Sequence, residues 1–169
     1  HAQTTQKVLN KITKTLEVLA KNDKVCQLIQ TIPGLGTICS CRLRATIGDI
    51  KRFKNPKDFP AYYGLGPRNI ATGHNEKKGK ITHRGDRTMR SLMVQGAGCV
   101  IRLATCGKLK SKQLTKWILK KQKEKMPWGK LVCAVAAKLL RIVRAILISS
   151  KPYNPKIAGV AKCSLSKGS

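Results

Sequence analysis

The chain has 169 residues, enough for one domain and an accessory helix but too few for a second large catalytic domain. Hydrophobic residues make up 41% of it and aromatic residues only 4%, so the core must be mainly aliphatic, which favours packed helices over a β-sandwich. Its 35 Lys and Arg against 7 Asp and Glu give a formal net charge of +28, which indicates a polyanionic partner.

The first predicted element is a helical arm over residues 1–24. Its apolar residues recur at alternating spacings of three and four, the pattern of a coiled-coil seam. They are Leu9, Ile12, Leu16 and Leu19. Such a seam packs on one other helix, so we expect the full-length protein to be a homo-oligomer, although two heptads do not fix the number of copies.

A glycine-containing turn separates the next two predicted helices. The first of them stops at Pro33, and Gly34, Gly36 and Thr37 lead into the second. Such a turn can leave the first amides of the second helix free, and free amides at a helix N-terminus bind phosphate. Spacing alone equally allows these glycines merely to end one helix and begin the next. The positive charge of the chain favours phosphate binding.

A stretch of aromatic residues and prolines, residues 53–63, comes before a second glycine turn. Its composition favours anchoring on the core over stacking on bases. Gly64, Gly66 and Arg68 form the turn, and residues 69–84 show little periodicity, which predicts a basic flexible loop. The cations of this loop are Lys77, Lys78, Lys80 and Arg84.

Three more helices complete the predicted fold, an all-α bundle of about six helices with one basic loop. The first opens at Asp86, which is expected to cap it, and its small residues 96–98 would let another helix approach closely. The second is rich in lysine and is expected to face the polyanion. The third, residues 129–149, is expected to turn its cations toward solvent. These cations are Lys130, Lys138, Arg141 and Arg144.

Several classes of protein and site are excluded by the same residues. Three cations interrupt the longest apolar stretch, residues 131–150, so we expect no membrane span. The seven cysteines lie mostly in apolar periodic segments and form no Cys-x-x-Cys pair, which is typical of reduced thiols in a cytoplasmic protein. The seven acidic residues are scattered singly, so no metal site is expected. Because the chain begins with His1, we expect it to be a piece of a longer protein.

Five blocks in order resemble one family, the transposases of the IS110, IS116 and IS902 type, in their C-terminal transposase domain. One Gly-x-Gly turn would be a weak signal, but five blocks in the family's order are specific. The resemblance predicts a domain over residues 25–153, with residues 154–169 as a flexible tail. The blocks are residues 31–36 (TIPGLG), 47–53 (IGDIKRF), 63–68 (YGLGPR), 79–90 and 134–153.

The resemblance implies a site-specific recombinase that moves an insertion sequence between DNA sites. Its N-terminal RuvC-like domain, whose acidic residues bind Mg²⁺, is expected to be missing from these residues, so no cofactor is expected in this chain. The C-terminal domain of the family is similar to a helix-hairpin-helix DNA-binding unit, supplies a serine nucleophile and works with a structured guide RNA. DNA and this RNA are therefore the implied partners, and the implied location is the cytoplasm, at the nucleoid.

The family's serine falls at Thr72 in this chain, which makes Thr72 the candidate nucleophile. A threonine hydroxyl can act as a nucleophile, but its β-branch crowds attack on a phosphodiester, so enzymatic activity stays open. Arg87 and Arg90 are candidates to offset the charge of the transition state. The candidate DNA-binding residues are Gly34, Gly36, Thr37, Gly64, Gly66, Arg68, Lys77, Lys78, Lys80 and Arg84.

Two other functions remain open at this point. The chain could be a non-enzymatic basic helical module that holds DNA or RNA for another protein. It could also be an RNA-binding protein of the ribosomal type, which the charge alone permits. Only the five blocks argue against the second of these.

Overall fold

The computed structural model describes residues 2–72, 75–82 and 84–157, with residues 2, 3, 67–72 and 75–80 described by their backbone alone. Helices dominate this part of the chain, and short 3₁₀ helices occupy Ile50–Arg52 and Pro155–Ile157. The elements are α1 (Ala2–Asn22), α2 (Lys24–Gln30), α3 (Thr37–Ile47), α4 (Asp58–Tyr62), β1 (Pro67–Thr72), β2 (Asn75–Ile81), α5 (Arg87–Thr105), α6 (Lys112–Lys123) and α7 (Trp128–Ser149).

The core is helical, which confirms the predicted all-α class. Helices α5 and α7 pack along each other at its centre, and the other helices surround them. Met93 of α5 and Leu139 of α7 are fully buried, as the apolar periodicity of both helices predicts. None of the described helices combines the length and the apolar content needed to cross a membrane.

Residues 69–84 were expected to be a flexible loop, and this expectation is wrong. Strands β1 and β2 form an antiparallel hairpin in which Thr72 pairs with Asn75 and Asn69 with Lys78, with an irregularity between Pro67 and Asn69. The sequence hides this hairpin because its strands are largely polar and lack the apolar alternation of a half-buried strand. An isolated two-stranded hairpin is at best marginally stable, so this one depends on how the domain holds its base.

The small residues of α5 were expected to allow close approach of another helix, but the segment that packs on them is the turn before α3. Gly34, in the turn before α3, has φ +83°, and a Cβ on it would lie 2.6 Å from the carbonyl oxygen of Gly96. A Cβ on Gly96 would lie 2.4 Å from the carbonyl oxygen of Gly34. The two glycines therefore bring the backbone of the turn directly onto α5.

Most of the apolar seam of α1 is exposed, although the helix packs against α2 and α3 and Leu16 of the seam is half-buried. Leu9, Ile12 and Leu19 expose 51%, 52% and 58% of their surface. Ala20, at the C-terminal end of the helix, is buried. The pairing of this arm with another copy stays a prediction.

The cations of α7 were expected to face solvent, which is wrong for most of them. Lys130 is exposed, but Nζ of Lys138 lies 4.4 Å from the ring centroid of Trp117. Nε of Arg144 donates to the carbonyl oxygen of Phe53 at 2.8 Å. Long basic side chains can cover apolar neighbours, and helical periodicity does not show which of them do so.

The first residues of the predicted tail are docked on the domain. The amide of Tyr153 donates to Oγ1 of Thr31 at 2.9 Å, and Oγ of Ser111 donates to the carbonyl oxygen of Pro155 at 3.1 Å. A flexible tail beginning at residue 154 is therefore wrong for residues 154–157. The rest of the predicted tail, residues 158–169, lies outside the described residues.

Candidate functional site

The N-terminus of α3 has no side-chain cap. Its N-cap residue, Gly36, is exposed and has an extended backbone. The N-cap residues of three other helices, Asp23, Asp86 and Ser111, each accept hydrogen bonds from the first turn of their own helix. The amides of Thr37 and Ile38 therefore have no capping side chain, and the positive end of the helix dipole lies beside an exposed residue.

The turn before α3 is held rigidly, which fixes the direction of these amides. Leu35 is buried, and its amide donates to the carbonyl oxygen of Ile32 at 3.3 Å. On one side of it, Gly34 packs against α5 with a positive φ that suits glycine. On the other side, Gly36 has open space where a Cβ would stand. The turn thus has one sealed face and one free face.

The second glycine turn is buried, which contradicts its predicted DNA contacts. Gly64 and Gly66 are both buried. The amide of Gly64 donates to the carbonyl oxygen of Ala61 at 2.9 Å, and the next amide, of Leu65, donates to Pro60 at 3.0 Å. These glycines serve close packing instead, because a Cβ on Gly64 would lie 2.0 Å from the carbonyl oxygen of Arg84.

The close contact between Gly64 and the backbone of Arg84 lies at the base of the hairpin. Gly85 has φ +90°, and a Cβ on it would lie 2.2 Å from the carbonyl oxygen of Tyr62. Nη1 of Arg90 donates to the carbonyl oxygens of Tyr63 and Arg84, both at 3.3 Å. The backbone before β1 and the backbone after β2 are thereby held together. Arg90, a predicted catalytic cation, uses this nitrogen to hold the base of the hairpin.

An ion pair joins this base to α3. Nε and Nη2 of Arg42 donate to the carboxylate of Asp86 at 2.9 and 3.0 Å. Asp86 also accepts from the amides of Thr88 and Met89, so it caps α5 as predicted. Desolvation acts to raise the pKa of Asp86, but the bonds from Met89 and Arg42 outweigh it and lower that pKa. No local pattern indicates the role of Arg42, because its partner lies 44 residues away along the chain.

The hairpin itself contains most of the remaining predicted site residues. Thr72 forms the backbone pair nearest the tip, opposite Asn75. The side chains of Arg68, Thr72, Lys77, Lys78 and Lys80 lie outside the described residues, as do Gly73, His74 and His83. Arg84, after the hairpin, and Arg87, in the first turn of α5, are exposed.

The aromatic residues before the hairpin anchor the chain, as their composition predicts. Phe59 and Tyr63 are fully buried, and the hydroxyl of Tyr63 lies 2.8 Å from Oγ1 of Thr46. Tyr62 is the exception, since 46% of its surface is exposed. Its ring is covered by Arg52, whose guanidinium carbon lies 4.8 Å from the ring centroid.

Lysines cover the outer face of α6. On the opposite face of this helix, Leu114 and Ile118 are buried in the core. One lysine of the helix, Lys121, is paired with Glu124 at 2.7 Å. The exposed lysines of α6 are Lys112, Lys116, Lys120 and Lys123.

In the described part of the chain, two aspartates bind arginines, and one cysteine, Cys39, is deeply buried. No three His, Cys, Asp or Glu side chains there come together as a metal site. Two of its aspartates, Asp23 and Asp86, are instead bound to Arg44 and Arg42. Burial raises the pKa of Cys39 to about 12, which keeps this thiol protonated and unreactive.

Comparison with known proteins gives one family. A model described as the transposase IS116/IS110/IS902 family matches residues 26–113. The chain is 31% identical over 82% of its length to the transposase for insertion sequence element IS1111A of Coxiella burnetii, covering 37% of that protein. It is 33% identical over 79% of its length to the transposase for IS1328 of Yersinia enterocolitica, covering 39% of it.

A third relative is named as a gene-inverting protein. The chain is 28% identical over 77% of its length to the pilin gene-inverting protein of Moraxella lacunata, covering 39% of it. The chain spans less than half the length of the curated relatives that it matches.

Proposed function

This chain belongs to the IS116/IS110/IS902 transposase family, and on that premise we propose that it is the part of a transposase that holds DNA for strand exchange. In this proposal the uncapped N-terminus of α3 binds a backbone phosphate, and the hairpin β1–β2 extends beside the bound strand. The rest of the full-length protein would supply the acidic residues and their Mg²⁺.

The observation that carries this proposal is the link between α3 and the hairpin. Arg42 lies five residues after Thr37, which is about 8 Å along a helix at 1.5 Å per residue. Through its bond to Asp86, Arg42 keeps the base of the hairpin close to the free amides of α3. A phosphate bound there would therefore lie within about one and a half helical turns of the residue that links α3 to the base of the hairpin.

The positive charge of the chain also supports DNA as the partner. The net charge of +28 is far larger than a folded domain needs for solubility, and exposed cations occur at Arg84, Arg87 and along α6. Contacts of lysine and helix amides with phosphates position a duplex without reading its sequence. Recognition of a target sequence would come from elsewhere, and in this proposal from the guide RNA implied by the family resemblance.

Salt dependence tests the phosphate contacts. If about eight phosphates are neutralised, log affinity for a duplex falls with log salt at a slope near −7, because each contact contributes about −0.9. Fluorescence anisotropy with a labelled duplex of random sequence, between 50 and 300 mM NaCl, measures this slope. A slope shallower than about −3 contradicts the broad basic interface. An A-form RNA duplex bound more tightly than DNA would favour the RNA-binding alternative.

Covalent catalysis by Thr72 is the finer part of the proposal. We expect Thr72→Ser, in the full-length protein with its target DNA and guide RNA, to give a covalent protein–DNA adduct that survives denaturing electrophoresis. Thr72→Ala removes the hydroxyl and is expected to give none. Serine lacks the β-branch that crowds threonine, so the wild-type adduct should form more slowly than that of the serine variant.

The controls for this experiment distinguish the two remaining functions. Equal duplex affinity of both variants shows that the substitutions leave binding intact. If neither the serine variant nor the wild-type protein gives an adduct, the chain is a non-enzymatic binding module.

A further inference from the structure

A cleft lies between α7 and the loop that leads into α4. Its volume is about 530 Å³, above the lower end of the range for ligand pockets, about 300 Å³. One wall is the loop before α4, and the other is the side chain of Arg141 on α7. The residues that line it are Asn55, Pro56, Lys57, Asp58 and Arg141.

The wall of the cleft is held in place by the next turn of α7. Nε and Nη2 of Arg144 donate to the carbonyl oxygens of Phe53 at 2.8 Å and Lys54 at 2.7 Å. These bonds tie the loop to α7 just before the residues that line the cleft. The opening beside Arg141 is thus built into the fold, and it does not depend on the packing of a free loop.

Arg141 lacks the partners that other arginines of the domain have. Its Nε is buried and makes no hydrogen bond within the described residues. Arg42 and Arg144, by contrast, each make two bonds to oxygen atoms. Nε itself is closed to solvent, but no nitrogen of this guanidinium has an acceptor among the described residues, so its charge is left for a ligand that the protein itself does not supply.

The charges around the cleft favour an anion. Lys57 and Arg141 are positive, and Asp58 is the one acidic residue of the lining. Oδ2 of Asp58 accepts from the amide of Asn55 at 3.2 Å, and this carboxylate forms no ion pair with Arg141. Lys138, one turn earlier on α7, has its pKa lowered by desolvation and by the charge of Arg141, so that side also lacks a neutralising carboxylate.

We propose that this cleft binds a phosphate group, with the guanidinium of Arg141 as its main ligand and Lys57 as a second cation. A planar guanidinium donates two parallel bonds to phosphate oxygens, which suits a narrow cleft with one orphan arginine. The group can be a backbone phosphate of nucleic acid or a free phosphate, and the first source rests on the function proposed above.

The position of the cleft would make it a second anchor for DNA. Its loop follows the C-terminal end of α3, whereas the proposed phosphate site of Gly36 lies at the N-terminal end. Eleven helical residues separate the two ends by about 16 Å. A second anchor apart from the first would fix the direction in which a duplex crosses the domain, which one helix terminus cannot do.

The side chain of Arg141 can be observed directly in the 169-residue chain. In ¹H–¹⁵N spectra the Nε–H signal of Arg141, assigned by its loss in Arg141→Gln, is expected to shift on titration with inorganic phosphate. It should also shift with a 16-base-pair duplex if the source is nucleic acid. A shift with phosphate but not with duplex assigns a free phosphate. No shift with either probe overturns the proposal.

Binding by matched variants gives the second readout. Arg141→Gln is expected to weaken duplex binding about fivefold to tenfold and to reduce the salt slope by about 1. Arg102→Gln, at an exposed arginine of α5, removes the same charge and is expected to change affinity less than twofold. Asp58→Asn removes the opposing charge and should tighten binding about twofold to threefold.

The outcomes separate this proposal from the general one. Equal affinities of Arg141→Gln and Arg102→Gln overturn the cleft as a DNA anchor, even when the chain binds duplex tightly. If the wild-type chain binds no duplex, the proposed function fails, and the phosphate titration still decides whether the cleft is an anion site. The titration itself uses the wild-type chain, where the Nε–H signal can also be assigned by its through-bond connection to the backbone of Arg141, so poor folding of a variant does not affect it.

Discussion

Replacing Gly64 by alanine is expected to lower the free energy of unfolding by about 2–5 kcal/mol, the largest stability effect of any single change proposed here. Gly64 has φ +74°, which costs an L-residue about 1–2 kcal/mol. The new Cβ would also lie 2.0 Å from the carbonyl oxygen of Arg84, so one backbone segment must move, and overpacking of this kind costs about 1–3 kcal/mol.

The control is a glycine with the same backbone conformation and no neighbour. Gly107, after the end of α5, has φ +69° and nothing within 4 Å of a Cβ position. Gly107→Ala is therefore expected to cost only about 1–2 kcal/mol, the conformational part. Urea unfolding followed by circular dichroism measures both variants. Equal losses of stability would show that the backbone contact between residues 64 and 84 is absent.

The loss of stability in Gly64→Ala should also speed amide exchange at the base of the hairpin. The amide of Thr82 donates to the carbonyl oxygen of Gly66 at 3.2 Å, next to the contact that the alanine disrupts. We expect this amide to exchange with solvent at least tenfold faster in Gly64→Ala than in Gly107→Ala. Such a result would show that the glycine contact holds the base of the hairpin.

Replacing Gly36 by aspartate is expected to stabilise the protein and to weaken DNA binding at the same time. An aspartate at the N-cap accepts hydrogen bonds from the free amides of α3 and interacts favourably with the helix dipole. Together these interactions raise the free energy of unfolding by about 0.5–1 kcal/mol. The backbone is extended there, with φ −87°, and the Cβ meets nothing within 4 Å, so the substitution fits without strain.

The same carboxylate occupies the place of the proposed phosphate and repels it. Loss of a charge-assisted bond worth about 1.5–3 kcal/mol corresponds to about 10- to 100-fold weaker duplex binding. Thermal unfolding and fluorescence anisotropy on one preparation measure both effects. A protein that is more stable and yet binds poorly would be difficult to explain by any change in folding.

Two control variants separate blocking of the amides from loss of net charge. Gly36→Asn caps the helix without a charge and is expected to weaken binding by a smaller factor. Gly129→Asp adds the same charge at an exposed glycine in the first turn of α7, where a Cβ also meets nothing. We expect this second variant to bind duplex within about twofold of wild type. Unchanged binding in Gly36→Asp would remove the α3 terminus from the interface.

The sequence was sufficient to predict the six longer helices of the described chain and their buried faces, but not the short helix α4. Apolar periodicity indicates the face of α5 with Met89 and Met93 and the face of α7 with Leu139 and Val143, because burial of one stripe of a helix is a local property. The cap of α5 by Asp86 is local for the same reason. The polyanionic partner is still a prediction, and it rests on the net charge.

The hairpin was not predictable, because its stability is not local. Its strands are largely polar, and what supports them is the packing of Gly64 against residue 84 and the bonds of Arg90 to Tyr63 and Arg84. The spacing of Gly64 and Gly66 resembles that of Gly34 and Gly36, yet one turn is buried and the other keeps a free face. Only the neighbours of each turn in space determine that difference.

By itself, then, the sequence determined the six longer helices, which of their faces are apolar and that the chain is strongly basic. The tertiary structure decided which cations are left for a ligand. The local sequence does not distinguish Arg141 from Arg42, Arg90 and Arg144. The latter three donate to oxygen atoms of residues 27 or more positions away along the chain, and Arg141 does not. Long-range contacts of this kind depend on how the chain folds back on itself, and no local pattern of residues encodes them.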